Sequence, residues 1–204
     1  MALPPELHSP GAPADAAVRM ADERRVIARA QSGDAAAFRE LVERHQSRAY
    51  ALALRILRSP ADAEEVAQDA FVRVWTALPG FRGESSFSTW LHRIVARRAL
   101  DRVAVLKNRR AREQLEESLP ERADPLADGR KRDEHRARTV VLQRMIDRLS
   151  PHQRAAVTLF YYEGRSVEDV ATVLGMPANT VKTHLLRART ALREAWTLEL
   201  EEDA

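Results

Sequence analysis

The chain contains no cysteine, so it has no disulfide framework, no thiol redox sensor and no cysteine zinc site of its own. Only 7 of its 204 residues are glycine, and its apolar residues recur at helical spacing, which together favour an all-α protein. No apolar run approaches the length of a membrane span and the N-terminus lacks a signal-peptide core, which predicts a cytoplasmic protein. The six histidines lack metal-ligand spacing and no P-loop is present. We therefore expect no metal, no cofactor and no enzymatic activity.

Charge of both signs is abundant, with 33 Lys and Arg against 30 Asp and Glu. Because a balanced total can hide local segregation, the distribution along the chain matters more than the net charge of +3. Composition predicts two small helical domains joined by a flexible linker. The predicted segments are a proline-rich disordered tail at 1–21, a first domain at 22–106, a linker without an apolar stripe at 107–138, a second domain at 139–198 and an acidic tail at 199–204.

Residues 166–193 predict a helix-turn-helix. Ser166 and Asp169 have the spacing of a capping box, and Gly175 and Pro177 mark a break before a second helix that starts at Ala178. The buried stripe of this second helix would be Val181, Leu185, Ala188 and Leu192. A parallel stripe of Lys182, Leu186, Arg189 and Arg193, with Thr183 and Arg187 beside it, suits the major groove of DNA. The alternative is an ordinary helical hairpin with a solvated basic face.

In the first domain, a helix is predicted at 34–58, with His45 as a satisfied histidine on its buried stripe. The next helix, at 61–78, has two faces of different character. Its apolar face would be core and comprises Ala63, Ala67, Ala70, Phe71, Val74 and Leu78. Its other face carries Asp62, Glu65, Gln68, Asp69, Arg73 and Thr76. From the residues alone, that acidic-amide face is a solvated surface.

A glycine-containing loop with two aromatic residues, Phe81 and Phe87, precedes a helix predicted at 89–105. Trp90 heads this helix, and several arginines follow it: Arg93, Arg97, Arg98 and Arg102. Aromatic rings and guanidinium planes stack on unstacked bases, and arginine neutralises phosphate, so single-stranded DNA is a natural ligand. Equally, Trp90 could be a core residue and the arginines a solvated face; the residues by themselves do not decide.

Three blocks of the sequence resemble the group IV, or extracytoplasmic-function, sigma factors of bacterial RNA polymerase. They are DAEEVAQDAFVRVW at 62–75, FRGESSFSTWLHRIVARRALD at 81–101 and LSPHQRAAVTLFYYEGRSVEDVATVLGMPANTVKTHLLRARTALRE at 149–194. The resemblance extends from about residue 22 to 196, and the three blocks stand in the order that the family has. It implies sigma region 2 in the first domain and sigma region 4 in the second.

The resemblance also implies three sets of site residues. Core polymerase would be bound by Glu64, Glu65, Gln68, Asp69, Arg73 and Trp75. The minus-ten element would be bound by Phe81, Arg82, Phe87, Trp90, Arg93, Arg97, Arg98 and Asp101, with a flipped base received near Trp90. The minus-thirty-five element would be bound by Thr180, Lys182, Thr183, Leu186, Arg187 and Arg189. Arg97 stands where many relatives carry an asparagine that helps read the minus-ten base, so base preference does not transfer.

The mechanism implied is non-enzymatic: both domains dock on core RNA polymerase, the second reads duplex promoter DNA, and the first captures single-stranded bases as the strands open. The resemblance further implies an anti-sigma factor as a partner. Two other classes stay open on the residues alone. A stand-alone helix-turn-helix regulator would bind operator DNA without polymerase, and a helical adaptor would bind protein only.

Overall fold

The computed structural model describes residues 13–116, 145–146 and 148–202, and all the regular structure in these residues is helical. The α-helices are α1 Pro13–Gln31, α2 Ala35–Leu57, α3 Pro60–Ala77, α4 Phe87–Glu116, α5 Pro151–Val157, α6 Val167–Leu174 and α7 Ala178–Glu202. A 3-10 turn, Leu78–Gly80, follows α3, and a π-helical turn, Thr158–Tyr162, follows α5. The predicted all-α class is confirmed. Among the described helices, none carries an apolar stretch of the length needed to span a bilayer.

Side-chain caps set several of the helix starts. Asp34 accepts hydrogen bonds from two backbone N–H groups in the first turn of α2, and Ser59 accepts one in the first turn of α3. Ser150 and Gln153 form a reciprocal capping box at α5, with bonds of 3.3 and 2.8 Å. Each cap satisfies N–H groups that have no partner within the helix and contributes about 1 kcal/mol.

Helices α1 to α4 enclose the core of the first half, with α2 packed against the other three. The six predicted apolar residues of the 61–78 helix are all buried. His45 is also buried, and its Nε2 lies 2.9 Å from a carboxylate oxygen of Glu23, so it is the satisfied core histidine that the sequence predicted. The inward face of α4 contributes Phe87, Leu91 and Val95.

Three helices extend beyond their predicted limits. Helix α1 begins at Pro13, inside the tail predicted to be disordered at 1–21, because proline suits the first helical position and the alanine-rich residues after it favour helix. Helix α4 continues into the predicted linker as far as Glu116, through good helix formers that carry no apolar stripe. Helix α7 extends to Glu202, inside the predicted acidic tail. The remainders of the predicted tail and linker, at 1–12 and 117–138, lie outside the described residues, as do residues 139–144 of the predicted second domain.

The two halves of the chain pack against each other, with α2 contacting α5 and α4 contacting α6. The guanidinium of Arg154 donates hydrogen bonds of 2.9 and 3.2 Å to the carbonyl of Ile56, at the end of α2. The guanidinium of Arg55 lies 4.3 Å from the centre of the Tyr162 ring, in the π-helical turn. Buried residues of both halves therefore form one continuous hydrophobic cluster.

Candidate functional site

The exposed face of α3 carries the residues predicted to bind core polymerase. Glu64, Glu65, Gln68, Arg73 and Trp75 are exposed, and Asp69 is half-buried. The apolar stripe on the opposite side of α3 is buried against α2 and α4, which fixes the direction in which these side chains project. All six thus lie on the outward half of α3, with Glu64, Gln68 and Trp75 toward α2 and Asp69 and Arg73 toward α4.

Two of these carboxylates are already paired with arginines of α4. Asp69 accepts hydrogen bonds from Arg73 at 3.0 Å and from Arg98 at 2.7 Å, and Glu65 accepts one from Arg102 at 2.9 Å. Burial disfavours the charged form of Asp69, but the hydrogen bonds from the two arginines outweigh it, so the pKa of Asp69 lies below its ordinary value. Glu64, in contrast, contacts Gln68 of its own helix at 3.3 Å. Within the predicted surface, Glu64 and Gln68 therefore bond to each other and not to α4.

An open groove of about 640 Å³ lies between α2 and α3, beside this surface. Its lining is partly apolar and comprises Val42, Gln46, Ser47, Tyr50, Glu64, Ala67, Gln68 and Phe71. The α2 wall was missed by the sequence reasoning, although Val42, Gln46 and Tyr50 recur every four residues beside the buried stripe. Farther along α3, the Trp75 ring packs 4.7 Å from that of Phe38 and is 42% exposed. The surface thus combines an apolar patch with acidic and amide groups beside it, an arrangement that occurs in protein interfaces.

A cluster of three aromatic rings lies at the junction of α4 with the loop before it, with Phe81 in the loop and Phe87 and Trp90 in the first turn of α4. Phe81 lies 4.9 Å from Trp90 at an interplanar angle of 33°, and 6.1 Å from Phe87. Phe81 and Trp90 are half-buried, so part of each ring is accessible. Phe87 is only 1% exposed and packs beneath them, 5.0 Å from His45. The structure therefore places Phe87 in the core, where it supports the two accessible rings, because the helical register turns it inward with Leu91.

The predicted minus-ten arginines differ in how they are held. Arg82, Arg93 and Arg97 are exposed, and no described residue forms an ion pair with them. Arg98 is bound to Asp69 and lies 3.6 Å from Asp101, so its charge is largely compensated. Unpaired exposed guanidinium groups beside accessible rings give a surface that can accept phosphate and stack on bases.

The helix-turn-helix is formed by α6, the turn at Gly175 and α7. The Ser166 hydroxyl accepts a hydrogen bond from the N–H of Asp169 at 3.0 Å, and Gly175 ends α6 with φ of +64°. The capping box is only half as predicted, because the Asp169 carboxylate accepts from the Ser166 hydroxyl at 2.8 Å instead of from its backbone N–H. Val173, which the sequence reasoning did not include, is buried beside Val170.

Helix α7 presents the predicted recognition residues to solvent. Thr180, Lys182, Thr183, Leu186, Arg187 and Arg189 are all exposed. On the opposite side, Val181, Leu185 and Ala188 are buried and Leu192 is partly buried. Leu186, at 59% exposed, stands as an apolar group among the cations. The helix thus separates a packing face from an uncovered basic face.

Two histidines stack behind that basic face. The rings of His152, in α5, and His184, in α7, lie 5.9 Å apart at 18°. Burial first, and then the charges of His152 and Arg187, lower the pKa of His184. No group of three or more side chains able to hold a metal ion occurs within residues 13–116, 145–146 and 148–202.

Two family models match the chain in the order of its two halves. The model described as Sigma-70 region 2 matches residues 41–110, and the model described as Sigma-70, region 4 matches residues 139–192. The RNA polymerase sigma-H factor of Pseudomonas aeruginosa is 34% identical over 191 residues, which cover 85% of this chain and 93% of the relative. The ECF RNA polymerase sigma-E factor of Escherichia coli K12 is 30% identical over 175 residues, covering 82% and 90%.

Solved structures also resemble this chain. The sigma factor RpoE of Bartonella quintana, solved with the anti-sigma factor NepR, matches with a TM-score of 0.60 at 23% identity, covering 78% of this chain and 96% of RpoE. CnrH, solved with the cytosolic domain of CnrY, matches with a TM-score of 0.59 at 27% identity, covering 89% and 99%. The first match shows a shared fold, and the second extends it over most of both chains.

Proposed function

Because the chain belongs to the extracytoplasmic-function group of the sigma-70 family, we propose that it directs core RNA polymerase to specific promoters and promotes DNA melting for transcription initiation. The observation that carries this proposal is the exposed basic face of α7, which follows the capped helix α6 and the turn at Gly175. A helix held in this way can enter the major groove with its first turns at the base edges. In the same chain, a second surface carries accessible rings and unpaired arginines.

Duplex recognition would fall to α7. Lys182, Arg187 and Arg189 supply charge for phosphates, and Thr180 and Thr183, near the start of the helix, supply short polar groups for base edges. Leu186 offers an apolar contact of the kind that reads a thymine methyl group. These residues would contact the minus-thirty-five element.

Single-strand capture would fall to the aromatic cluster and the exposed arginines of α4. An unstacked base can stack on Phe81 or Trp90 while Arg93 and Arg97 bind the adjoining phosphates. Strand opening would draw on binding energy within the polymerase complex, and the chain itself would perform no catalysis. We assign Phe87 a supporting role here, and Arg98 and Asp101 a role in orienting α4.

Docking on polymerase would use α3 and the groove beside it. The exposed side chains of Glu64, Gln68 and Trp75 line up along the helix, and the apolar wall formed by Tyr50 and Phe71 lies next to them. A basic or amphipathic helix of the partner would match both the charge and the shape. A protein that acts with polymerase would be cytoplasmic.

Promoter binding requires the two halves to separate. Elements centred near minus ten and minus thirty-five are about 25 base pairs apart, which is about 85 Å at 3.4 Å per pair. In this structure α6 packs on both α4 and α7, so the half that would bind minus thirty-five is held against the half that would bind minus ten. The residues between 117 and 144 span up to about 90 Å when fully extended, which is long enough for the separation.

Regulation by an anti-sigma factor is the partner interaction that the relatives suggest. RpoE and CnrH were each solved with a partner protein, NepR and the cytosolic domain of CnrY. A partner that covers the α3 groove, or that holds the two halves together, would block the steps above. We propose that a protein of this kind binds the present chain.

Reconstitution with core RNA polymerase tests the proposal. The purified chain and core polymerase would be incubated, separately and together, with a library of genomic promoter fragments, and initiated transcripts would be sequenced. Promoter-specific initiation that requires both components supports the sigma function. Tight, specific duplex binding by the chain alone would indicate a stand-alone regulator, and neither activity would indicate a protein-binding adaptor.

A further inference from the structure

Gln31, the last residue of α1, makes two hydrogen bonds to a distant part of the chain. Its side-chain Nε2 donates to the carbonyl of Leu78 at 3.0 Å and to the carbonyl of Phe81 at 2.8 Å. These carbonyls lie at the two ends of the 3-10 turn that leads from α3 into the aromatic loop. One amide group is therefore hydrogen-bonded to both ends of the turn, and we call this pair of bonds the Gln31 clamp. Gln31 is not among the residues predicted to bind DNA.

The chemistry of an amide suits this position. A glutamine NH₂ carries two donors, so a single side chain can serve two carbonyls at once, whereas a carboxylate has none to offer. The Leu78 carbonyl also accepts the backbone N–H of Phe81 at 3.0 Å, which uses both of its lone pairs. Phe81 itself is extended, with φ of −72° and ψ of 114°, so its backbone is held by the turn and by Gln31 rather than by a helix.

The clamp lies directly behind the accessible rings. The hydrogen bond to the Phe81 carbonyl restrains the backbone from which the Phe81 side chain projects. The Phe81 ring lies 4.9 Å from that of Trp90. At the other end of the loop, the Ser86 hydroxyl accepts from the N–H of Thr89 at 3.1 Å and lies 2.8 Å from its hydroxyl, which also accepts from Arg165 at 2.8 Å. Gln31 thus ties the start of the loop to a different helix.

We propose that Gln31 is a positioning residue for minus-ten recognition, which holds Phe81 against Trp90 so that the two rings are preorganised to receive an unstacked base. A loop that is already ordered loses less conformational entropy on binding, so the clamp strengthens DNA binding without touching DNA. The inference rests on the proposed function, because it takes the aromatic cluster as the single-strand site.

The test compares Gln31→Leu and Gln31→Glu with Ser32→Ala in the full chain bound to core polymerase. Both Gln31 variants keep the approximate size of the side chain and remove its donors. Ser32 is the adjacent exposed residue, and its hydroxyl donates only to the Arg29 carbonyl of the same helix end, at 2.7 Å, so Ser32→Ala is the matched control. Thermal unfolding of each variant establishes that it is folded. The DNA probe is a fluorescein-labelled single-stranded oligonucleotide carrying the minus-ten strand of a promoter selected with the wild-type holoenzyme.

We expect both Gln31 variants to bind this oligonucleotide about tenfold more weakly, with core affinity unchanged and faster amide hydrogen exchange at residues 81–86. Ser32→Ala should match the wild type in all three measurements. Unchanged exchange in the loop would show that the two hydrogen bonds do not hold it, and faster exchange with unchanged DNA affinity would show a tether without a role in recognition. Either result would overturn the inference.

Trp90→Ala, measured with the same oligonucleotide, separates failure of this inference from failure of the proposed function. If Trp90→Ala weakens DNA binding while the Gln31 variants do not, the aromatic site stands and only the role of Gln31 is wrong. If Trp90→Ala also leaves the affinity unchanged, the aromatic cluster is not the single-strand site, and both proposals fall.

Discussion

Nε of Arg98 donates a hydrogen bond of 2.7 Å to the carboxylate of Asp69, which joins a residue of the predicted minus-ten surface to a residue of the predicted polymerase surface. The pairing orients α4 on α3, and Arg102 repeats it one turn further along with Asp62 and Glu65. A change at Asp69 or Glu65 therefore disturbs both surfaces. A mutation that tests one surface alone must be made at another residue.

Polymerase docking is tested best at Glu64. Glu64→Lys reverses a charge that is exposed and bonded only within α3, so we expect core polymerase to bind about five- to tenfold more weakly, at low salt, with little change in Tm. Glu194→Lys makes the same charge change on the exposed surface of α7. Fluorescence anisotropy of each labelled variant, titrated with core polymerase, measures its affinity for the polymerase. Equal affinities for the two variants would contradict the assignment of α3.

Minus-thirty-five recognition is tested by Lys182→Ala and Arg187→Ala. If each side chain neutralises one phosphate, each variant should bind the selected promoter duplex more weakly in the holoenzyme, and the salt dependence of log K should become shallower by about one unit. The control is Arg39→Ala, which removes an exposed arginine of α2. A salt dependence that stays the same in both α7 variants would rule these residues out as phosphate contacts.

Packing of the two halves is tested by Arg165→Ala. The Arg165 guanidinium donates to the hydroxyls of Ser88 and Thr89 at the start of α4, so its loss should favour separation of the halves by about 1 to 3 kcal/mol. Because the chain has no cysteine, Ser47→Cys and Thr197→Cys provide a specific pair of sites for energy-transfer dyes. We expect lower transfer efficiency in Arg165→Ala than in the parent or in Arg193→Ala. Equal efficiencies would show that Arg165 does not hold the halves together.

The stability of the protein should fall in acid because of His92. Burial, followed by the charges of Arg165, His45 and Arg48, lowers the pKa of His92 to about 4, and no described residue bonds to its Nδ1. A histidine with a depressed pKa stabilises the folded state above its unfolded pKa of about 6.5, and this contribution is lost as the pH falls toward 4, by at most about 1.4 kcal/mol per unit. Urea unfolding of the wild type between pH 7 and pH 4 should show this slope.

His92→Gln provides the comparison, since glutamine does not titrate and can be accommodated in a similar volume. Its free energy of unfolding should depend less on pH between 6.5 and 4 than that of the wild type. The remaining pH dependence includes His45, whose pKa is also lowered by burial. Parallel curves for the two proteins would show that His92 does not set the acid response.

The helix positions and buried faces were predictable because they follow from local periodicity and caps. The apolar stripe of α3, the turn at Gly175 and the exposed face of α7 were all predicted from spacing alone. The hydrogen-bonded pairs that orient the surfaces were not predictable from spacing. Asp69 and Arg98 are 29 positions apart, and Gln31 and Phe81 are 50 positions apart. Periodicity carries no information on such partners.

The early start of α1 and the long C-terminal extension of α4 had a different cause. Both lie in segments without an apolar stripe, where helix propensity decides, whereas amphipathicity and proline content predict no helix there. The burial of Phe87 was missed for a third reason. An aromatic residue in a loop with glycines is equally compatible with a binding surface and with a core, and only its burial against His45 distinguishes them.

We propose that one chain reads duplex DNA with α7 and captures a single strand with α4 when polymerase holds both in place. Footprinting of one complex tests it most directly: hydroxyl-radical cleavage reports duplex protection, and permanganate reports unpaired thymines, on a promoter selected with the holoenzyme. We predict protection near minus thirty-five and reactive thymines near minus ten, both dependent on core polymerase. Protection by the chain alone, or protection without any reactive thymine at 37 °C, would contradict the account.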